Sequence, residues 1–203
     1  MKKALLLVSI LFISVISTAC INNFAVQELN NKAKTFMDKG DYNAAIERLK
    51  SSIDLDGTVF ETRYNLAVAY TKAEDYANAV EAYNEAIKLN PDFADSYYSL
   101  AVCEENLAKD IINGYVKVNE DGTVTKTEND TDDSNEITDK KDDKKLSDSD
   151  IKMIVTLLGN SVSDYKIYLD KSPEAKDKNE VNSKVEELEN LVAKYNTDIA
   201  AVQ

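Results

Sequence analysis

The chain has 203 residues, 37 of them acidic and 24 basic, for a formal net charge of −13 at pH 7. This excess of acids argues against binding nucleic acid or an anionic lipid surface, because both need a basic face. The chain contains no histidine and only five glycines, which removes the commonest general base and metal ligand and leaves no glycine-rich loop to cradle a phosphate.

The first segment of the chain is typical of an export signal. Lys2 and Lys3 precede an uncharged apolar run from Ala4 to Ile16, and small residues then lead into Cys20. The run is short for a membrane-spanning helix, which needs about 20 apolar residues. We therefore expect residues 1–19 to be cleaved, and we exclude them from the fold.

The sequence Ser17-Thr18-Ala19-Cys20 resembles the bacterial lipobox, in which the cysteine is acylated and becomes the new N-terminus. This resemblance implies that residues 20–25 are a lipidated N-terminus and a short tether, because two or more acyl chains anchor a protein stably. It also implies an exported protein. Such a protein would lie on the outer membrane of a cell with two membranes, or on the outer face of the cell membrane otherwise. The alternative is an ordinary signal peptide that ends near a cysteine.

From Val26 to Val102 the chain repeats itself with a shift of 34 residues. Small residues recur at equivalent positions, and they let two antiparallel helices approach closely, while a single helix pair must stack on neighbours to bury its apolar stripe. This period with helical patterning resembles the tetratricopeptide repeat. The resemblance implies an all-α, tetratricopeptide-like α-solenoid of about three helix-turn-helix repeats with a C-terminal capping helix. The matching positions include Ala33, Ala67 and Ala101, Tyr64 and Tyr98, Ala45 and Ala79, and Leu55 and Leu89.

The copy from Phe60 to Phe93 matches the repeat motif best, through Leu66, Ala67, Tyr70, Ala79, Tyr83, Ala86 and Pro91. Arg63 departs from the motif, which often has tryptophan there. In the third copy, Glu104 takes a place that is usually aromatic. We assign residues 26–109 to repeats 1 and 2 and the first helix of repeat 3.

Residues 110–150 interrupt the third repeat with an acidic insertion that we expect to be largely disordered. Gly114–Lys126 alternates weakly around Asp121-Gly122, which is consistent with a short hairpin. The remainder is nearly all Asp, Asn, Lys, Ser and Thr and has too few apolar residues to bury. Asp130–Glu136 is the one cluster with potential to bind a cation. It lacks the glycine and the final bidentate acid of an EF-hand loop, so we predict no metal site and no cofactor.

Helical patterning resumes after the insertion. Residues 151–173 are expected to form the second helix of repeat 3, with an apolar stripe of Ile151, Ile154, Leu158, Val162, Tyr165 and Leu169. Residues 174–203 are expected to form a capping helix and a tail. That helix carries its own apolar stripe, Val181, Val185, Leu188, Val192 and Tyr195. A short coiled coil between copies, and with it a structural envelope protein, is the alternative.

One short stretch competes with the repeat interpretation. Asp54 followed by Asp56-Gly57-Thr58 resembles the phosphate-transfer loop of haloacid dehalogenase-type phosphatases, in which one aspartate attacks phosphorus and the other moves a proton. Such an enzyme needs a buried strand before the first aspartate, whereas the preceding residues have helical spacing. The 34-residue period places the stretch in the turn between repeats, so we predict no catalysis.

The family resemblance implies a binding surface made by the first helix of each repeat, which takes extended or helical peptide segments. Carried over by position, this groove presents Asn30, Lys34, Tyr64, Asn65, Val68, Tyr98 and Val102. The alternative for the two tyrosines is packing between helices. One branch of the family clamps a partner's C-terminal carboxylate, and Asn65 matches one of its residues, but Asp95 and Ser99 stand where that branch needs basic side chains. The predicted partners are another protein or peptide and, through Cys20, a membrane.

Overall fold

The computed structural model describes residues 22–127 and 146–202, with side chains as far as residue 197. Within these ranges the chain forms seven helices and one two-stranded antiparallel sheet. It divides into two compact units, Met1–Pro91 and Asp92–Gln203. The first unit contains α1 (residues 22–38), α2 (Tyr42–Leu55), α3 (Phe60–Lys72) and α4 (Tyr76–Leu89). The second contains α5 (Ala94–Asn113), β1 (Val116–Val118), β2 (Val124–Lys126), α6 (Asp148–Lys171) and α7 (Lys178–Val202).

The first unit consists of two helical hairpins with alanines on their inner faces. Ala45, Ala67 and Ala79 have no exposed surface, and the absence of a longer side chain allows close helix approach at these positions. Leu49 and Tyr83 fill the larger gaps and are also almost fully buried. The small and large positions predicted from the repeat therefore form the core of this unit.

The tight turns within the two hairpins have the same construction. Asp41 and Asp75 cap the second helices, each accepting a hydrogen bond from the backbone N–H three residues later, which satisfies an otherwise unpaired donor. The residue before each cap has a left-handed backbone, with φ of 77° at Gly40 and 54° at Glu74. Glycine adopts this conformation without strain, whereas glutamate does not.

The turn between the hairpins explains the departure at Arg63. The Arg63 Nε donates to the Gly57 carbonyl oxygen at 2.9 Å, so the guanidinium fixes the turn to the start of α3. A side chain at position 57 would meet that guanidinium, because a Cβ built on Gly57 lies 3.1 Å from an Arg63 nitrogen. Arginine thus replaces the packing of the usual tryptophan with a polar contact.

The start of α1 differs from the expected tether. Residues 22–25 are already helical, and the Gln27 side-chain amide donates to Asn23 Oδ1 one turn earlier, at 3.3 Å. Val26 is buried, which gives this first turn a packing contact. The predicted tether of residues 20–25 is therefore too long. Residues 1–21, with the predicted signal peptide and Cys20, lie outside the described residues.

The second unit contains the interrupted repeat. α5 runs to Asn113 and ends on Gly114, whose left-handed φ of 77° accommodates the C-cap. β1 pairs with β2 in antiparallel register, Val116 with Lys126 and Val118 with Val124, so the predicted hairpin is confirmed. The predicted start of the disordered insertion at residue 110 is wrong, because Ile111, Val116 and Val118 are buried. These contacts order the first part of the insertion. Residues 128–145 lie outside the described residues.

α6 begins three residues before its predicted start because of a capping box. The Ser147 side chain accepts from the Asp150 N–H, and the Asp150 carboxylate accepts from the Ser147 N–H. Four of the six predicted stripe residues are buried, and Ile151 and Leu169 are half-buried. The buried stripe of α6 also includes Leu157, Ser161 and Tyr168. Buried Ser161 donates to the Ala101 carbonyl oxygen on α5 at 2.8 Å, so the two helices meet at a close crossing.

α7 packs along α6 through Val181, Val185 and Leu188, which are buried. The Lys166 Nζ on α6 lies 2.6 Å from the Glu189 carboxylate on α7. The residues of α7 on the other side are exposed and polar, among them Asn182, Ser183, Glu186 and Asn190. α7 therefore covers the flank of α6 with its apolar stripe and exposes its hydrophilic side to solvent.

Candidate functional site

The predicted binding residues of the first unit lie on α1 and α3. The Asn30 side-chain amide donates to Thr62 Oγ1 at 2.8 Å, which joins the two helices, since Thr62 has no exposed surface. Asn30 Oδ1 is buried and has no hydrogen-bond partner among the described residues. Such an acceptor carries a desolvation cost until a donor reaches it.

A pocket of about 450 Å³ lies beside this contact, and we call it the α1–α3 pocket. Its lining is mostly amide and apolar, with one cation at Lys34 and one carboxylate at Asp38. Three of the predicted groove residues, Asn30, Lys34 and Asn65, therefore meet at one concavity. The lining residues are Asn30, Asn31, Ala33, Lys34, Met37, Asp38, Leu49 and Asn65.

Tyr64 and Val68 are half-buried and do not line the α1–α3 pocket. The Tyr64 ring stacks on Phe60 with centroids 5.8 Å apart and meets the edge of Tyr83 at 5.7 Å. These contacts hold the ring against α4, as the packing alternative requires. Part of the ring still faces solvent, so packing and partner contact are compatible at this position.

In the second unit, Tyr98 and Val102 lie half-buried on α5. The Tyr98 ring centroid is 5.6 Å from that of Tyr165 and 5.1 Å from that of Tyr168, both on α6. Burial, followed by the nearby Asp177 carboxylate, raises the pKa of Tyr98. Its hydroxyl therefore stays protonated at neutral pH, and the ring forms part of an aromatic cluster of three tyrosines.

Sequence reasoning missed the polar centre of the second unit, two consecutive buried glutamates on α5. Glu105 is 6% exposed, and its Oε1 lies 2.6 Å from Lys109 Nζ and 3.3 Å from Lys184 Nζ on α7. Glu104 is 3% exposed. In the part of the chain that the structure describes, no cation lies among its partners and its Oε2 has no hydrogen-bond partner.

The neighbour of Glu104 is another acid, Asp164 on α6. Burial, and then the Asp164 charge, raise the pKa of Glu104 to about 9, and burial raises the pKa of Asp164 to about 6. Glu104 therefore carries a proton at neutral pH and shares it with Asp164, because two close carboxylates do not both ionise in a buried setting. The sequence feature that pointed to this buried acid was Glu104 itself, which stands at a position of the repeat that is usually aromatic.

The two aspartates of the phosphatase alternative lie at a helix end and a turn. Asp54 is exposed on α2. Asp56 Oδ1 accepts hydrogen bonds from the Thr58 hydroxyl at 2.6 Å and the Thr58 N–H at 2.9 Å, which lower its pKa. Asp121 and Thr123 make the same turn in the hairpin. The sheet in the described ranges is two-stranded and antiparallel, so the described residues offer no parallel sheet beneath Asp54.

Two further properties concern only residues 22–127 and 146–202. No helix in these ranges combines the length and the apolar character that crossing a membrane requires. Nor do these ranges hold a group of three or more carboxylate or thiol side chains arranged to bind a metal ion. The acidic cluster Asp130–Glu136 lies outside them.

Comparison with known families matches two segments of the chain. The family described as tetratricopeptide repeat matches residues 60–93 and, through a second profile of the same description, residues 29–58. Residues 29–58 and 60–93 are therefore two tetratricopeptide repeats. The first segment corresponds to α3 and α4, and the second covers most of α1 and all of α2. The all-α, tetratricopeptide-like solenoid class predicted from the sequence is thereby confirmed.

Solved structures of tetratricopeptide repeat domains are similar to the chain in fold. The second such domain of human RPAP3, in complex with the HSP70 peptide SGPTIEEVD, is 17% identical with a TM-score of 0.54, covering 81% of this chain and 98% of that one. The Arabidopsis OM64 domain is 12% identical with a TM-score of 0.54, and the match covers 82% of this chain and 98% of that one. The first such domain of Spaghetti (RPAP3), bound to the HSP90 peptide SRMEEVD, is 17% identical with a TM-score of 0.53. The match covers 83% of this chain and 93% of that one. No curated protein matches the sequence.

Proposed function

We propose that this tetratricopeptide repeat protein is a non-catalytic scaffold or assembly factor that holds a segment of another protein at the cell envelope. The observation that carries the proposal is the α1–α3 pocket, where Asn30, Lys34 and Asn65 converge. Two RPAP3 domains of the same fold are described with bound peptides, which supports a protein or peptide as the ligand class.

The chemistry of the α1–α3 pocket fits a peptide rather than a small metabolite. Asparagine amides both donate and accept, so they match a peptide backbone, and Lys34 adds one cation for an acidic side chain or a carboxylate. Asp95 and Ser99 stand where basic residues are needed for clamping a chaperone tail, so the ligand we propose is an internal or differently charged segment.

The proposed site of action is a membrane surface reached through a lipid on Cys20. Acylation of the Cys20 thiol, followed by hydrolysis of the Ala19–Cys20 peptide bond, would remove the signal peptide and leave the repeats outside the cytoplasm, where a scaffold for envelope proteins would act. The membrane that holds this lipid would be the outer membrane in a cell with two membranes and the cell membrane in a cell with one.

The polar outer face of α7 argues against the rival hypothesis, in which the protein is an envelope protein that oligomerises through its last helix. A stable homotypic coiled coil needs an apolar seam on the contacting side. The first part of the apolar stripe of α7 is already buried on α6 at Val181, Val185 and Leu188, which leaves the half-buried Val192 and Tyr195 as a seam of only two residues. We therefore expect a monomer. Sedimentation of the protein with and without residues 175–203 tests this, because an oligomer that is lost on truncation would favour the rival.

The decisive experiment is a pull-down with the anchored protein and variants of the α1–α3 pocket. Lys34→Ala and Asn65→Ala are expected to lose the same prey while keeping the wild-type circular dichroism spectrum. Lys32→Ala is the matched control, because Lys32 is exposed on the same helix and pairs with Glu28 instead of lining the pocket. Tyr64→Ala and Tyr98→Ala extend the test to the aromatic positions. Prey retained by both pocket variants would place the binding surface elsewhere.

A further inference from the structure

The described part of the chain leaves four large apolar side chains exposed, and three of them belong to the first unit. Phe24 is 69% exposed, Leu55 41% and Leu89 39%. Exposed apolar residues scattered singly over a surface need no explanation. These three residues instead occupy related places in the fold, so their distribution calls for an explanation.

All three residues lie at the same edge of the first unit, which we call the apolar edge. Phe24 is in the first turn of α1, whereas Leu55 and Leu89 are the last residues of α2 and α4. Consecutive helices of this unit are antiparallel, so the starts of α1 and α3 lie beside the ends of α2 and α4. Two contacts document the pairing: Ser52 Oγ donates to the Val26 carbonyl oxygen at 3.5 Å, and the Tyr64 and Tyr83 rings are 5.7 Å apart.

The apolar edge is also where the chain approaches the proposed lipid anchor. Phe24 is four residues after Cys20, and four residues span at most about 14 Å even when fully extended. The polar interface of a bilayer is about 5–7 Å deep on each side of the hydrocarbon core. An acyl group on Cys20 would therefore bring Phe24 close to this layer, with Leu55 and Leu89 on the same edge.

We propose that the apolar edge contacts the lipid bilayer and that Phe24, Leu55 and Leu89 rest in its interfacial layer beside the anchor. This inference depends on the proposed acylation of Cys20. Aromatic and aliphatic side chains gain from leaving water at this depth. Asp54 on the last turn of α2 and Lys88 on the last turn of α4 are both exposed. The edge therefore has no excess of basic charge, which favours a zwitterionic surface over an anionic one. The contact would orient the helices relative to the membrane, which a single flexible lipid tether would not.

Single-tryptophan variants test the contact, because the chain has no tryptophan of its own. Phe24→Trp, Leu55→Trp and Leu89→Trp would be produced as full chains in cells, checked for a lipid-modified Cys20 by mass spectrometry, and reconstituted into phosphatidylcholine vesicles containing brominated lipid. Lys39→Trp is the matched control, since Lys39 is exposed in the turn at the opposite end of α1.

The expected result is a blue-shifted emission and strong bromine quenching for the three edge variants, with neither effect for Lys39→Trp. Acylated protein whose edge variants are quenched no more than Lys39→Trp would overturn the inference and leave the proposed anchoring intact. Edge variants that are blue-shifted without vesicles and without bromine quenching would assign the edge to a protein partner or a second copy, and this too overturns it. An unmodified Cys20 in the mature protein would overturn the anchoring and the inference together.

Discussion

Replacing Glu104 with glutamine should make the second unit more stable at neutral pH and remove most of its pH dependence. The substitution keeps the shape of the side chain and supplies a permanently neutral group where the protein holds a protonated acid. Its neighbourhood contains Asp164, whose carboxylate it faces, and Asn160, whose amide contributes a hydrogen bond. The variant keeps a donor for Asp164 and removes the ionisable proton.

The magnitude follows from the raised pKa of Glu104, which is about 9 in the fold against a reference of 4.5. Between these two values the folded chain binds one proton more than the unfolded chain, so stability is fully present below pH 4.5 and is lost as pH rises toward 9. The slope is about 1.4 kcal/mol per pH unit. Between pH 5.5 and 7.5 the wild type should therefore lose about 2–3 kcal/mol, and Asp164 adds a loss of the same sign up to its own pKa of about 6.

The assay is urea unfolding of the full chain at pH 5.5 and 7.5, with hydrogen exchange of α5 and α6 read by mass spectrometry to isolate the second unit. Glu104→Gln should exceed the wild type by about 1–2 kcal/mol at pH 5.5 and by about 4 kcal/mol at pH 7.5, and its profile should be nearly flat. Glu186→Gln, an exposed acid on α7, is the control and should follow the wild type. Glu105→Gln should lose stability at both pH values, because its carboxylate pairs with Lys109 and Lys184.

Two outcomes would refute the assignment of a proton to Glu104. One is a wild type whose second unit is equally stable or more stable at pH 7.5 than at pH 5.5. The other is a Glu104→Gln variant that keeps the wild-type slope, since the pH dependence would then come from different groups.

Three stability predictions concern other elements, and urea unfolding measures each of them. Gly40→Ala should cost about 1–2 kcal/mol through the left-handed backbone alone, because no atom of the described residues lies within 4 Å of the added Cβ. An unchanged midpoint would contradict the strain argument. Leu49→Ala should cost about 2–5 kcal/mol, because Leu49 is fully buried, while exposed Leu55→Ala should cost far less. Ser147→Ala should cost about 1 kcal/mol by removing the capping box of α6, and α6 should then exchange amide hydrogens faster in its first turn.

The helices were predictable from the sequence because their determinants are local. Alanines at fixed spacing mark the hairpins, and Gly40-Asp41 and Glu74-Asp75 mark the turns within them. Asp121-Gly122 marked the β-hairpin in the same way, since a turn type depends on a few adjacent residues. Such features need no knowledge of the rest of the chain.

The polar contacts were not predictable, because each joins residues that are far apart in sequence. Asn30 and Thr62 are 32 positions apart, and Ser161 and Ala101 are 60 apart. The protonation of Glu104 depends on Asp164, beyond the insertion. The 34-residue period shows which helices pair but does not state which side chains face each other across the pair.

The interruption of the third repeat has a consequence for how the protein folds. The α1–α2 and α3–α4 pairs close over connections of a few residues, whereas α5 must find α6 across a connection from Asn113 to Asp148. Because loop-closure entropy grows with the logarithm of length, a connection about ten times longer costs at most about 2 kcal/mol more. Contacts distant in sequence also slow the search for the native state. The first unit should therefore be complete early, during synthesis from the N-terminal side, and the joining of α5 to α6 should set the overall folding rate.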